Sequence, residues 1–332
     1  MKRRDQTTPL GLLALCPAYR VTPLHRLRIE GRTVFAKDET GRMGLGSFKA
    51  LGGIYAVLRL LERETGVRLR SQADLSRLYQ ASAGIVFVCA SAGNHGLAVA
   101  TGARLFGARA RIVLSNSVPE AFADRLRGRG AEVLRRGETY EDSVDAAVND
   151  ARQTGAIHLA DGSWPGYIDA PSLVMEGYGV IAEELRAAFS SQEVWPTHVY
   201  LQAGVGGLAA AMAREIRSDW PFQPRIIVVE PDAAPCLGAS VALGRRLIVD
   251  GPVSNMGRLD CKAPSLIALD ILRDAADEFV TVTDAQATAA TETLARHGLM
   301  STPSGSAGLA AVLTRPAVET DRSLIIVSEG LP

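Results

Sequence analysis

The stretch Gly84-Ile-Val-Phe-Val-Cys-Ala90, followed at once by Ser91-Ala-Gly-Asn-His-Gly96, decides the fold class of this chain. An unbroken apolar run is typical of a β-strand that is covered on both faces of its sheet. The Ala-rich segment 97–106 comes next and stops at Gly107, which predicts a helix. A buried strand, a glycine-containing turn and a helix in this order indicate one unit of a parallel α/β sheet.

The same alternation continues on both sides of this unit. Period-two alternation over residues 17–39 predicts extended chain, and residues 235–265, rich in Gly and Pro, predict less regular structure. Further strands are predicted at 111–114, 131–134, 156–159, 197–202, 225–230, 279–282 and 323–328, and further helices at 51–61, 121–130, 140–154, 172–189, 209–217, 266–276, 284–297 and 307–313. We therefore predict an α/β protein with two open, mostly parallel sheets, flanking helices and a functional cleft between the sheets.

Length and composition exclude several classes of protein. The 332 residues suffice for one large or two moderate domains with a buried core. Lys plus Arg and Asp plus Glu both number 36, so the zero net charge gives no indication of a nucleic-acid or membrane partner. No apolar run approaches the roughly 18 residues of a membrane span, and we expect no secretory signal. The four cysteines lack metal-like spacing, so we expect free thiols in a reducing cytoplasm.

A lysine in apolar surroundings lies in the stretch Gly44-Leu-Gly-Ser-Phe-Lys-Ala-Leu-Gly-Gly53. Lys49 follows Phe48 and precedes Ala50 and Leu51, just ahead of a predicted helix. Apolar surroundings penalise the ammonium form of a lysine, which makes its amine a nucleophile towards carbonyl groups. The alternative is a lysine at the start of a helix whose head group reaches water.

A glycine-rich turn, Ala203-Gly-Val-Gly-Gly-Leu208, separates a predicted strand from a predicted helix. Successive glycines let backbone N–H groups converge on an anion, and the helix presents the positive end of its dipole, so a phosphate fits there. The turn lacks the Lys-Ser/Thr of a nucleotide P-loop and the spacing of a dinucleotide fingerprint, so neither ATP nor NAD is supported. A glycine turn that only packs a helix on a sheet is the alternative.

The loop 91–96 offers different groups to a ligand. Its small residues expose backbone N–H groups that suit a carboxylate, and Asn94 offers an amide to a ring hydroxyl unless it simply caps the helix. We predict that the loop contacts substrate through Ser91, Ala92, Gly93 and His95. Neither His95 nor His198 has a second metal ligand at useful spacing, so we predict no metal site.

A lysine that needs a carbonyl, a phosphate turn without nucleotide signals and a loop for a carboxylate and a hydroxyl together indicate pyridoxal 5'-phosphate (PLP). Motifs that run nearly end to end agree with this: Thr22-Pro-Leu24, Lys37-Asp-Glu39, Phe48-Lys-Ala-Leu-Gly-Gly53, Gly93-Asn-His-Gly96, Trp164-Pro-Gly-Tyr167, Met175-Glu-Gly-Tyr178, Gly204-Val-Gly-Gly-Leu208, Val229-Glu-Pro-Asp232 and Ser328-Glu-Gly330. On these segments the chain resembles the tryptophan-synthase-β-like (fold type II) PLP enzymes, and among them the diaminopropionate ammonia-lyases.

The resemblance implies a role for each motif. Lys49 forms a Schiff base with the cofactor aldehyde and, once substrate has displaced it, removes the α-proton. Phe48 and Asn94 contact the cofactor, Asn94 at its ring hydroxyl. The cofactor phosphate is held by Gly204, Val205, Gly206, Gly207 and Leu208. Ser328 meets the pyridine nitrogen unless it only ends its strand, and a neutral partner there favours elimination over transamination.

The chain departs from the resemblance at one informative position. Ammonia-lyases that accept both enantiomers of diaminopropionate carry an acidic residue, the base for the D-isomer, where this chain has Ala92. Their second acidic residue matches Asp161, which then binds or protonates a leaving amine unless it only forms a turn. We therefore predict a preference for L-substrates. In the partly matching segment 254–262, Arg258 and Lys262 indicate either an acidic substrate side chain or solvated surface charge.

The predicted activity is α,β-elimination by a PLP-dependent ammonia-lyase acting on L-2,3-diaminopropionate or a related β-substituted L-amino acid, with release of a 2-oxo acid and ammonia. The alternatives are an L-serine or L-threonine dehydratase, a β-replacement synthase that makes an unusual amino acid, and a non-catalytic PLP-binding protein. We expect a small amino-acid substrate and a cytoplasmic homodimer. Residues 1–65 and 158–332 are predicted to form a large PLP-binding domain, and residues 66–157 a small domain that carries the loop 91–96.

Overall fold

The computed structural model of the chain describes residues 8–331. Its ten strands in that range are β1 (Leu24–Ile29), β2 (Arg32–Asp38), β3 (Val86–Ala90), β4 (Arg109–Leu114), β5 (Glu132–Arg135), β6 (Ile157–His158), β7 (His198–Gln202), β8 (Arg225–Pro231), β9 (Glu278–Val282) and β10 (Arg322–Val327). The α-helices are α1 (Pro9–Leu13), α2 (Lys49–Thr65), α3 (Gln72–Ala81), α4 (Asn94–Leu105), α5 (Glu120–Gly128), α6 (Tyr140–Thr154), α7 (Asp169–Gln192), α8 (Gly207–Asp219), α9 (Cys236–Ala242), α10 (Leu266–Ala275), α11 (Asp284–Arg296) and α12 (Pro303–Leu313). The part of the secretory-signal prediction that concerns residues 1–7 lies outside the described residues.

The larger sheet has six strands in the order β1-β2-β10-β7-β8-β9. β1 and β2 are antiparallel, and every other neighbouring pair runs parallel. The carboxyl ends of β2, β10 and β7 therefore meet along one edge of the sheet. Ligand-binding residues of parallel sheets lie at this edge, and here it is followed by Glu39, Ser328 and Ala203.

The smaller sheet has four parallel strands in the order β5-β4-β3-β6. Its inner strand β3 comes from the apolar run that begins at Gly84, and Phe87, Val88 and Cys89 are fully buried there. The prediction of an α/β protein with two mostly parallel sheets and flanking helices is confirmed.

The chain divides into two compact units. The first contains residues 8–19, 49–161 and 169–177, with the four-stranded sheet; the second contains residues 20–48, 162–168 and 178–331, with the six-stranded sheet. In the first unit, α2 packs closely on α4, since a Cβ added to Gly53 would lie 2.5 Å from the Cβ of Ala98. Residues 49–65 therefore group with the smaller sheet in this division, whereas the predicted domain bounds, which place them in the large domain, stay a prediction.

A short helix, α9, lies in the segment 235–265 for which the sequence predicts less regular structure. The Glu230 carboxylate accepts hydrogen bonds from the backbone N–H groups of Leu237 and Gly238, at 2.7 and 2.8 Å. A carboxylate near the end of β8 thus accepts hydrogen bonds from N–H groups in the first turn of α9, which have no partner within the helix. A local sequence pattern does not reveal this contact.

Among residues 8–331 no helix has both the length and the apolar character that a membrane span needs. The same residues include no group of three or more side chains able to hold a metal ion.

Candidate active site

Lys49 and Asp161 form an ion pair inside the first compact unit. Lys49 is the first residue of α2, and Asp161 follows β6. The Lys49 Nζ lies 2.5 Å from Asp161 Oδ2, and about a quarter of each side chain is exposed, 23% and 25%. The apolar surroundings predicted for Lys49 are thus only part of its environment, because a carboxylate more than a hundred positions away in the sequence reaches its amine.

The charge state of Asp161 follows from its neighbours. Burial by itself would raise the pKa of this carboxyl, but the positive charge of Lys49 and, to a smaller extent, the electrostatic effect of the nearby His95 imidazole outweigh burial and hold the pKa well below its usual range. Asp161 is therefore an anion at neutral pH, matched to a cation that sits in contact with it.

The other described lysines have different surroundings. Lys37 is buried and donates from Nζ to the Thr22 carbonyl at 2.7 Å and to Glu184 at 2.6 Å. Lys262 donates from Nζ to Asp260, to the Pro252 carbonyl of its own loop and to the Ala233 carbonyl, which lies before α9. The charge of Lys262 thus stabilises the segment that contains it, which favours neither of the two uses considered for it above.

The loop 91–96 winds tightly into α4. The Ser91 hydroxyl accepts hydrogen bonds from the N–H groups of Gly93 and Gly96, at 3.3 and 3.1 Å. Gly93 is the N-cap, and Asn94 is already the first residue of the helix, so the alternative in which Asn94 caps α4 is wrong. The loop places Ala92, which carries only a methyl group, next to the positive end of this helix, where an anion such as a substrate carboxylate is stabilised.

The glycine turn joins β7 to α8 in the second unit. Gly206 has φ +97°, the left-handed conformation that favours glycine, and caps α8. A Cβ added to Gly204 would lie 2.9 Å from the Cys261 sulfur and 3.0 Å from the Leu259 Cα, so a larger residue has no room there. The turn thus presents bare backbone at the N-terminus of a 13-residue helix, which fits the phosphate of PLP.

Ser328 directly follows β10, next to β7 in the sheet, and its hydroxyl accepts a hydrogen bond from Gln202 Nε2 at 3.2 Å. Because the Gln202 amide donates to it, the Ser328 O–H points its own hydrogen elsewhere, which suits an unprotonated ring nitrogen as acceptor. Gln202 itself, 2% exposed, is held by the Ile326 carbonyl at 2.7 Å. Gln202 was not predicted from the sequence, where its one signal is an amide at the end of a buried strand, directly before the glycine turn.

Phe48 belongs to the same edge of the larger sheet as Ser328. Its backbone N–H donates to the Ser328 carbonyl at 3.1 Å, and its ring packs edge-on against Tyr178 with centroids 4.8 Å apart. Within the first unit the structure thus brings Lys49, Asp161 and the loop 91–96 into one region, and within the second it brings Phe48, Ser328 and the glycine turn to one edge. A lysine amine, a phosphate-binding turn and a neutral hydroxyl donor are the groups that PLP requires, and the residues present fit it.

Comparisons with known proteins agree with this fit. A curated diaminopropionate ammonia-lyase of Salmonella typhimurium is 34% identical over 282 residues, which cover 81% of this chain and 70% of that protein. A crystal structure of diaminopropionate ammonia lyase from Escherichia coli in complex with D-serine superposes with a TM-score of 0.85 and 29% identity, covering 97% of this chain and 87% of that chain. An L-threonine ammonia-lyase of Thermotoga maritima is 27% identical over 281 residues, 84% of this chain and 67% of that protein.

A family model matches almost the whole described chain. It covers residues 15–329, from just after α1 to the residue after Ser328, and it describes pyridoxal-phosphate dependent enzymes. Since the match includes both sheets, the lysine at the start of α2 and the glycine turn before α8, the chain belongs to the pyridoxal-phosphate dependent enzymes.

Proposed function

We propose that this chain is an ammonia-lyase that eliminates the β-substituent of L-2,3-diaminopropionate or a related β-substituted L-amino acid and releases a 2-oxo acid and ammonia. The observation that carries the proposal is the 2.5 Å contact between Lys49 Nζ and Asp161 Oδ2. It joins a lysine amine to a carboxylate that stays charged, at the start of the helix that the family motif marks. The relatives named for diaminopropionate support the substrate class.

Lys49 supplies the covalent attachment and the base. When bound, PLP acts as an electron sink that stabilises negative charge at the substrate α-carbon. The Lys49 amine, once displaced by the substrate amine, removes the α-proton. The glycine turn holds the phosphate through backbone N–H groups, Ser328 donates to the ring nitrogen, and the start of α4 binds the substrate carboxylate.

Asp161 selects the leaving group in this proposal. Its low pKa makes it a carboxylate, which binds a cation better than it donates a proton. A β-ammonium group can take the place that the Lys49 ammonium holds in the structure. The neutral hydroxyl of serine or threonine gains less from that contact, so Asp161 favours diaminopropionate over these substrates.

Ala92 sets the preferred enantiomer. A methyl group cannot accept a proton, so Lys49 remains the base at the α-carbon, and we expect L-diaminopropionate to react at least about tenfold faster than the D-isomer, a difference of about 1.4 kcal/mol in activation free energy. An L-threonine dehydratase is the second candidate, supported by the 27% identity to the Thermotoga maritima enzyme.

A substrate panel tests the proposal. The purified protein with PLP is assayed for oxo acid and ammonia with L- and D-diaminopropionate, L-serine and L-threonine, beside Lys49→Ala. Borohydride reduction followed by peptide mapping is expected to label Lys49 and no other of the four lysines in the chain. Faster turnover of L-threonine than of L-diaminopropionate would replace the proposal by the dehydratase, and equal rates with the two enantiomers would contradict the role of Ala92.

We also propose a cytoplasmic homodimer. The four free cysteines, Cys16, Cys89, Cys236 and Cys261, support a reducing compartment. The proposal of a dimer rests on the family resemblance alone. Light scattering on the protein as it elutes from a size-exclusion column measures the mass of the assembly directly.

A further inference from the structure

His95 reaches the segment that carries Asp161. It is the second residue of α4, only 4% exposed, and its Nε2 lies 2.8 Å from the carbonyl oxygen of Leu159. A carbonyl oxygen only accepts hydrogen bonds, so Nε2 carries the hydrogen and donates it. Leu159 lies two residues before Asp161.

The imidazole acts through this one bond. Burial lowers the pKa of His95, an effect that the Asp161 carboxylate opposes and the Lys49 ammonium strengthens, so the ring is neutral at neutral pH. With the hydrogen on Nε2, the other nitrogen, Nδ1, is an acceptor, and it is buried without a partner among the residues that the structure describes. A neutral imidazole whose Nε2–H is hydrogen-bonded to the Leu159 carbonyl is suited to holding that backbone segment in place.

Backbone hydrogen bonds connect the segment before Asp161 to its neighbours. β6 consists of two residues, Ile157 and His158, which pair with β3. Beyond them, the Leu159 N–H donates to the Val88 carbonyl at 2.9 Å, and the Leu159 carbonyl accepts from His95. The strand therefore ends early, and His95 fixes the backbone from the side of α4 just before the chain reaches Asp161.

We propose that His95 is a positioning residue, which holds the Leu159 carbonyl and thereby keeps the Asp161 carboxylate in contact range of Lys49 and of a substrate ammonium group. The consequence for turnover rests on the proposed function, whereas the consequence for the Lys49–Asp161 contact does not. A misplacement of about 1 Å at such a contact lowers rates by up to about a hundredfold.

Two variants of His95 distinguish the loss of its hydrogen bond to the Leu159 carbonyl from the loss of the imidazole ring itself. His95→Leu removes the donor, and His95→Gln retains an amide N–H that can reach the Leu159 carbonyl. Both lack the imidazole, so any difference between them cannot come from its charge. His297→Leu is the matched control, because His297 Nδ1 also bonds a backbone carbonyl, that of Thr293 at 2.9 Å, at the end of α11.

Two measurements are made on these proteins. The first is kcat/KM for L-diaminopropionate, expected to fall about ten- to a hundredfold in His95→Leu, to recover at least in part in His95→Gln and to stay unchanged in His297→Leu. The second is the titration of Asp161 in cofactor-free protein, followed by NMR of carbon-13-labelled aspartate and assigned with Asp161→Asn. The groups that face Asp161 are Lys49 from α2, His95 from α4 and the Cys89 thiol from β3.

In His95→Leu the pKa of Asp161 is expected to rise towards its ordinary value of 3.8, because the Lys49 ammonium no longer stays in contact, and in His95→Gln it is expected to remain lower. Identical behaviour of His95→Leu and His95→Gln in both measurements would overturn the proposal. If no protein turned over any amino acid, the proposed function would fail, and the titrations would still decide the positioning role.

Discussion

The carboxylate of Asp161 shows how one residue acquires its properties from partners far along the chain. Its sequence neighbours, Ala160 and Gly162, contain nothing that sets its charge state. The contact with Lys49 does so, because a cation 2.5 Å away outweighs the effect of burial on the carboxyl pKa. The role proposed for Asp161 therefore depends on its ion pair with Lys49. A substitution of either residue should be interpreted as a change in both.

Asp161→Asn tests whether the charge of this residue selects the leaving group. The amide keeps the shape of the side chain and removes its charge, so we expect kcat/KM for L-diaminopropionate to fall about ten- to a hundredfold, as for the loss of a charged hydrogen bond. The loss for L-serine should be smaller, because its hydroxyl is neutral. Asp169→Asn, at the exposed start of α7, is the control. Equal losses with both substrates would show that Asp161 does not select the leaving group.

Between β2 and α7 in the second unit, a buried ionic network anchors the chain that leads to Lys49. Lys37 and Arg42 both contact Glu184, at 2.6 and 2.8 Å, and Arg42 also contacts Glu39 at 2.7 Å. The side chains are at most 2% exposed. Two cations and two anions balance, and each charge is hydrogen-bonded, which is the condition for burying ions in a protein interior.

Glu184→Gln breaks that balance and leaves two buried cations with one anion. We expect the free energy of unfolding to fall by about 3 to 5 kcal/mol, as is usual when one partner of a buried ion pair is removed. Chemical denaturation measures this value, with Glu64→Gln, at an exposed position of α2, as the control. A loss no larger than that of the control would mean that the network does not stabilise the fold.

The elements themselves followed closely from local patterns. β3, the loop 91–96 and α4 lie where the apolar run, the small residues and the Ala-rich segment predict them. The network around Glu184 was not predicted, although Lys37-Asp-Glu39 stood out as a motif. Its members are scattered from β2 to α7, so no window of sequence contains the charges that balance one another.

For the whole molecule, we expect the folding stability to depend on pH through the titration of His158. Burial, with a smaller electrostatic effect of the nearby His95 imidazole, lowers the pKa of His158 from 6.5 to about 4. Because the folded-state pKa is the lower one, the unfolded chain binds the proton first as the pH falls. The stabilisation is complete above pH 6.5 and is lost progressively towards pH 4.

We expect this one group to remove about 3 kcal/mol of stability between those two pH values. Carboxylates titrate in the same range, so the useful quantity is a difference: the wild-type protein should lose about that much more than His158→Gln when both are unfolded by denaturant at pH 6.5 and pH 4. Parallel pH profiles of the two proteins would contradict a depressed His158 pKa.

Neighbouring residues with a fixed period or spacing encode the α/β class, the parallel sheets, the lysine at the start of α2 and the glycine turn before α8, so these features can be predicted from the sequence. The contacts of Asp161 with Lys49, of Gln202 with Ser328 and of His95 with Leu159 are apparent only in the folded chain. These bonds join residues separated by 64 to 126 positions. They form because sheets and helices pack at short distances, as where Gly53 meets Ala98, and packing of this kind leaves no local pattern in the chain.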